Sequence, residues 1–467
     1  LPASAFLLTF VSLCLPLPAL AAELDGAALS PLWAMPFVGV LLSIAVLPLL
    51  VPVLWHRHFG KIAGAWALAF LLPFAALHGI HAALAVSVHA LIAEYLPFII
   101  LLSALFAVAG GICVRGNLHG TPATNTGLLA LGTLLASLMG TTGAAMLLIR
   151  PLLRANDDRR HTVHVVVFFI FLVANAGGSL TPLGDPPLFL GFLKGVDFFW
   201  TTRHLLGPMA FLCGALLLIF YLLDRHYYLN HEERSSLDPT PDSPLQLEGR
   251  INFLLLAAIV GLVLMSGLWS PGVAAHVMGV PLEWQNLLRD GALLLVILLS
   301  LWLTPATARA GNAFSWGPML EVGKLFAAIF LTIVPVIAML RAGEQGAFAA
   351  VVRAVTGADG RPDDAMYFWM TGLLSSFLDN APTYLVFFNT ASGDARELMG
   401  SLASTLAAIS AGAVFMGANS YIGNAPNMMV KAIAEERGVR MPSFFGYMAW
   451  STGILVPLFV AMRFIFF

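Results

Sequence analysis

Two carboxylates stand in apolar surroundings where an ordinary membrane helix would not carry them. Asp185 lies in Ala174–Pro187, which interrupts an apolar run from Val163 to about Leu193 with three glycines, three prolines and an Asn. Asp379 opens Asp379-Asn380-Ala381-Pro382, in the middle of a second apolar segment. An Asp at the centre of a bilayer costs about 2.5–3.5 kcal/mol on insertion scales, so its presence there asks for a use. Asn175, Thr181, Asn380, Thr383, Asn419, Ser420 and Asn424 place amide and hydroxyl oxygens in the same interrupted stretches. Carboxylate, amide, hydroxyl and freed carbonyl oxygens are what a small hard cation requires, which makes Asp185, Asp379 and Asn380 the candidate sodium ligands. A proton and a cation would then compete for the same carboxylate.

The same residues read as helix starts. In Asp185-Pro186-Pro187 the Asp accepts from the first free N–H groups and the Pro at the first helical position loses nothing by lacking its own. Asp379-Asn380-Ala381-Pro382, Thr141-Thr142-Gly143 and Asn424-Ala425-Pro426 allow the same reading, so four partly positive helix ends converge near the midplane. Such ends also bind anions. The simpler alternative is that Asp185 and Asp379 only cap helices, and that Asn175, Asn419 and Asn424 only satisfy freed backbone groups. For Ser137, Ser375 and Ser376 close helix packing is the simpler role.

The elements that must hold these residues follow from composition. Of 467 residues 59% are hydrophobic and 10% charged, too little polar surface for a soluble globule, so the chain is an all-α polytopic membrane protein whose partner is the lipid bilayer. A net charge of -2 offers no field for nucleic acid. Cys14, Cys113 and Cys213 are single and apart, giving no zinc site or disulfide framework, and no cofactor is expected. Residues 1–22 read as a signal peptide, an apolar core ending in Ala19-Leu20-Ala21-Ala22. Full crossings are expected at about 33–55, 62–82, 95–114, 204–225, 251–270, 290–304, 318–340 and 443–466, and broken ones at 163–194 and 402–437. Segments 124–155 and 366–390 are interrupted at their middles, so each reads as a re-entrant helical hairpin. The polar stretch 226–250 is a cytoplasmic linker between a first half (33–225) and a second (251–467).

The halves repeat. Ser137 and Ser376 stand 239 residues apart, and without a gap the same spacing lays Gly184-Asp185-Pro186-Pro187 over Gly423-Asn424-Ala425-Pro426. Five crossings between the hairpins, an odd number, make the second copy inverted relative to the first. Inverted repeats whose broken helices meet at the midplane point to a secondary transporter. With the mature amino end outside, fifteen of the 23 basic residues fall inside and eight outside, anchored by Arg150, Arg154, Arg159 and Arg160.

Ser376-Phe377-Leu378-Asp379-Asn380-Ala381-Pro382, taken with Asn175-Ala176-Gly177-Gly178 and Gly184-Asp185, resembles the ion transporter superfamily, and within it NhaD-type sodium/proton antiporters and the citrate-transporter-like proteins grouped with them. The resemblance runs from about residue 33 to the end. It implies a multi-pass protein of a bacterial-type inner membrane, a homodimer whose protomers each have a scaffold and a transport part of two hairpins and two broken helices. By position it carries over Ser375, Asp379, Asn380, Asn175 and Asp185 as important polar groups. Those antiporters have Asp-Asn at the first hairpin tip as well; here it is Gly140-Thr141. The implied activity is sodium or lithium exchange for protons by alternating access, the carried species being Na+ and H+. The alternative is sodium-coupled symport of citrate, a dicarboxylate or another oxyanion. An intramembrane aspartyl protease is disfavoured, because Pro182 occupies a position where its Gly-x-Gly-Asp motif needs Gly; the chain is read as no enzyme.

Overall fold

The computed structural model describes residues 24–230 and 243–467. The expected signal peptide, 1–22, lies outside the described residues. Among them seven helices are long and apolar enough to cross a membrane, and eight if the bent pair Gly317–Thr332 and Val334–Arg341 forms one span. Leu72, Leu77, Leu298, Trp302 and Phe464 are exposed on them, the surface a lipid-facing helix needs.

Several boundaries differ from those read in the sequence. The expected crossings at 33–55 and 62–82 are helices Met35–Leu50 and Pro52–His78, because Pro52 starts a helix at its first position, where a missing N–H costs nothing. The crossing expected at 95–114 begins at Ile80 and ends at Ala109, passing through a π-helical stretch at Ala90–Tyr95. A short hairpin of the strands Val273–Val277 and Val280–Glu283, unforeseen in the sequence, precedes the helix Trp284–Leu303. The stretch 226–250 is not wholly a linker. Its first residues continue the helix Trp200–Asn230, and Ser243–Glu248 forms a strand antiparallel to Cys113–Asn117, with Cys113 opposite Glu248.

The chain divides into two compact units. One holds the described chain up to Ser103 together with Gly261–Leu295 and Trp316–Ala354. Its interior is aromatic: Trp33 meets Phe70 and Phe74 edge-on at 6.2 and 5.8 Å, and Phe98 stacks on Phe326 at 4.7 Å. The other unit, Ala104–Val260, Val296–Ser315 and Val355–Phe467, contains both hairpins and both broken helices that carry the candidate residues. There the first hairpin is Pro122–Met139 and Thr141–Ala155, and the first broken helix is Val163–Leu172 and Pro186–Leu193. The second hairpin is Asp364–Phe377 and Asn380–Ala391; the second broken helix is Ala403–Phe415 and Ala425–Glu436.

A buried ion network ties the base of the first hairpin to its neighbours. Asp224 on Trp200–Asn230 accepts from Arg159 Nη2 at 2.7 Å and Asn125 Nδ2 at 3.0 Å, and pairs with His164 Nε2 at 2.7 Å. Asn125 and Asn156 exchange amide bonds at 2.8 Å beside it. Both oxygens of the buried carboxylate are engaged by protein donors, as a buried charge requires.

Candidate functional site

Each break is built by small residues that let backbone pack on backbone. A Cβ at Gly184 would lie 2.1 Å from the Gly178 carbonyl oxygen, and one at Gly423 would lie 2.5 Å from that of Gly417. These pairs are 239 residues apart, and the bonds around them recur at the same spacing. Thr181 Oγ1 donates to the Ser137 carbonyl, and Ser420 Oγ donates to that of Ser376. The amides of Leu183 and Ile422 donate to those two hydroxyls at 3.2 Å. Ser137 Oγ donates to the Gly177 carbonyl and Ser376 Oγ to that of Met416. Two copies of one hairpin-and-break motif are therefore present, compatible with an inverted repeat.

Between the copies sits Asp185, 1% exposed. Its backbone is extended (φ −143°, ψ 142°) and Pro186 begins the half-helix after it. Thr141 Oγ1, at the first hairpin tip, donates to its Oδ1 at 3.2 Å; Asn424 Nδ2, at the second break, approaches the same oxygen at 3.4 Å. Asn380 Nδ2, at the second hairpin tip, donates to Oδ2. All four interrupted elements thus converge on one carboxylate, and none of its hydrogen-bond partners carries a charge. Among the described residues the buried Oδ1 of Asn380 has no partner, an oxygen left over beside Asp185.

The other sequence candidates divide. Asn175 joins the cluster, its Oδ1 accepting from Asn424 Nδ2 at 3.2 Å and its Nδ2 donating to Asn427 Oδ1 at 2.7 Å. Asp379 adjoins Asn380 in the chain, but its carboxylate caps its own helix, accepting from the Ala381 amide at 3.0 Å. Thr383 Oγ1 donates to the Asp379 carbonyl at 2.9 Å, Ser375 Oγ to the Ala413 carbonyl at 2.7 Å, and Asn419 Nδ2 to Ser376 Oγ at 2.9 Å. With Thr181 and Ser420 these groups brace the breaks. Thr142 is half-buried and is not among the groups bonded to Asp185. Gly140 sits at φ +82° and ψ 150°, a conformation that disfavours a side chain, whereas Asp379 at the equivalent tip has φ −56° and ψ 138°. Asn427 escaped the sequence reading, although an Asn three residues along a membrane half-helix from Asn424 was the available signal.

These features define a multi-pass helical membrane protein with a buried polar centre in its broken helices. The model of the family described as "Putative citrate transport" matches residues 26–467, and the chain belongs to that family. It is thus a secondary transporter of the citrate-transporter type. Among solved structures it is similar to the Alcanivorax borkumensis YdaH transporter, at 14% identity over 87% of this chain and 97% of that one, with a TM-score of 0.47. No curated protein matches.

Proposed function

We propose that the protein exchanges sodium or lithium for protons by alternating access, with Asp185 as the group that carries one or the other. The observation that carries this reading is a fully buried carboxylate bonded only to neutral donors, Thr141, Asn380 and Asn424. An ionised Asp so placed lacks a counter-charge, so it is stable either protonated or with a cation bound. The spare Oδ1 of Asn380 supplies a ready second ligand, and Asp379 in the adjoining position supplies a second negative charge near the pathway. Sodium binding would displace the proton of Asp185, and protonation would release sodium on the other side. Resemblance supports a homodimer in a bacterial-type inner membrane.

The family description favours a second reading, in which sodium at this site drives entry of citrate or a related oxyanion held by the helix amino ends. Reconstituted vesicles with an imposed pH gradient separate the two. Exchange predicts that external sodium or lithium alone collapses the gradient. Symport predicts no collapse by sodium alone, and sodium-dependent accumulation of radiolabelled citrate or succinate instead.

A further inference from the structure

Asn424 occupies, 239 residues on, the place that Asp185 holds in the first half. Both are extended residues at the start of a half-helix, with φ and ψ of −143° and 142° for Asp185 and −151° and 138° for Asn424. A chain of amides fixes which end of Asn424 faces the site. The carbonyls of Gly417 and Ser420 can only accept, so Asn427 turns its Nδ2 to them, at 2.9 Å each. Its Oδ1 is then left to accept from Asn175 Nδ2 at 2.7 Å, which leaves Asn175 presenting its own oxygen to Asn424. Asn424 Nδ2 thus meets three oxygens: the Ala174 carbonyl at 3.1 Å, Asn175 Oδ1 at 3.2 Å and Asp185 Oδ1 at 3.4 Å. An oxygen in that place would oppose three acceptors. With no cation bound, a carboxyl group could occupy it only by holding a proton and donating it, a proton that a bound cation would free.

We propose that Asn424 sets the proton count of the site: it is the non-titrating counterpart of Asp185, and its Nδ2, facing Asp185 across the repeat, holds exchange to one proton fewer than an acid pair at these two positions would carry. The inference rests on the exchange reading above. It adds that coupling is written at a position where the two copies differ, Asp185 in one and Asn424 in the other.

The test is Asn424→Asp in the full-length protein. Infrared difference spectra of the purified variant at neutral pH should show one protonated carboxyl more than the wild type. In vesicles with the membrane potential clamped at zero, each added proton per cation raises the sodium gradient sustained at equilibrium about tenfold per unit of pH gradient. Absence of the extra protonated carboxyl overturns the proposal, as does its presence with an unchanged sodium gradient. Asn424→Ala adds no acid and removes the donor, so it should keep the wild-type gradient while slowing exchange; an altered gradient or an unaltered rate overturns the proposal even if the Asp variant does not fold. Wild-type protein that moves no protons against sodium would remove the exchange reading and the proton count with it, whereas wild-type exchange with no extra protonated carboxyl in Asn424→Asp would remove the proton count alone.

Discussion

Asp185→Asn should leave the protein folded and remove its response to sodium, and the structure says how closely the folding cost balances. The variant keeps Oδ1 to accept from Thr141 and Asn424, at 3.2 and 3.4 Å. On the other side its new amide would meet Asn380 Nδ2, donor against donor. Asn380 can turn its amide by half a rotation, because its Oδ1 has no partner to lose. What is surrendered is the charge-assisted part of bonds worth about 1.5–3 kcal/mol. What is relieved is the burden of a carboxylate at membrane depth, about 2.5–3.5 kcal/mol. Stability should therefore lie between about 0.5 kcal/mol below and about 2 kcal/mol above the wild type. Asp185→Ala differs: it strands the buried Thr141 and Asn380 donors at about 1–3 kcal/mol each, and so melts well below the wild type. Thermal unfolding in detergent across a sodium series reads both effects. Sodium at a hundred times its dissociation constant should stabilise the wild type by about 2.7 kcal/mol and leave Asp185→Asn unmoved. An Asp185→Asn protein that melts as low as Asp185→Ala, or that keeps the sodium response, would refute this account of the site.

Three further outcomes follow from the same geometry. Asp379→Asn preserves the cap on Ala381, since Asn caps as well as Asp, so its melting point should hold while sodium-driven proton movement in inverted vesicles falls sharply; unimpaired exchange would remove Asp379 from the pathway. Gly184→Ala sets a methyl 2.1 Å from the Gly178 carbonyl and should reduce the folded protein recovered from membranes, whereas Gly127→Ala, in open space on a hairpin helix, should be tolerated. Asp224→Asn leaves Arg159 and His164 without their carboxylate and should destabilise by about 3–5 kcal/mol, measured by the same thermal unfolding.

The breaks were legible in the sequence because Gly, Pro, Asn and Asp have few other reasons to interrupt hydrocarbon, and the 239-residue spacing aligned them before any coordinates. The convergence on Asp185 was legible less fully. Expectation set Asp379 and Asn380 beside it together; the hydrogen bond comes from Asn380, while the Asp379 carboxylate accepts from the Ala381 amide of its own helix start. Asn427 was hidden because a single polar residue in an apolar stretch does not declare its partner. The pairing of Cys113–Asn117 with Ser243–Glu248 joins segments more than a hundred residues apart, and nothing local in either stretch marks the other. The start at Pro52 was blurred because apolar residues run through both neighbouring helices, leaving only the proline as punctuation.

Proton release measured when sodium chloride is added to the purified protein in weakly buffered detergent tests the central claim most directly. The account predicts a saturable release of protons in the wild type, matched by lithium and absent in Asp185→Asn. Release of the same size in Asp185→Asn, or none in the wild type at any pH at which the protein is folded, would contradict it.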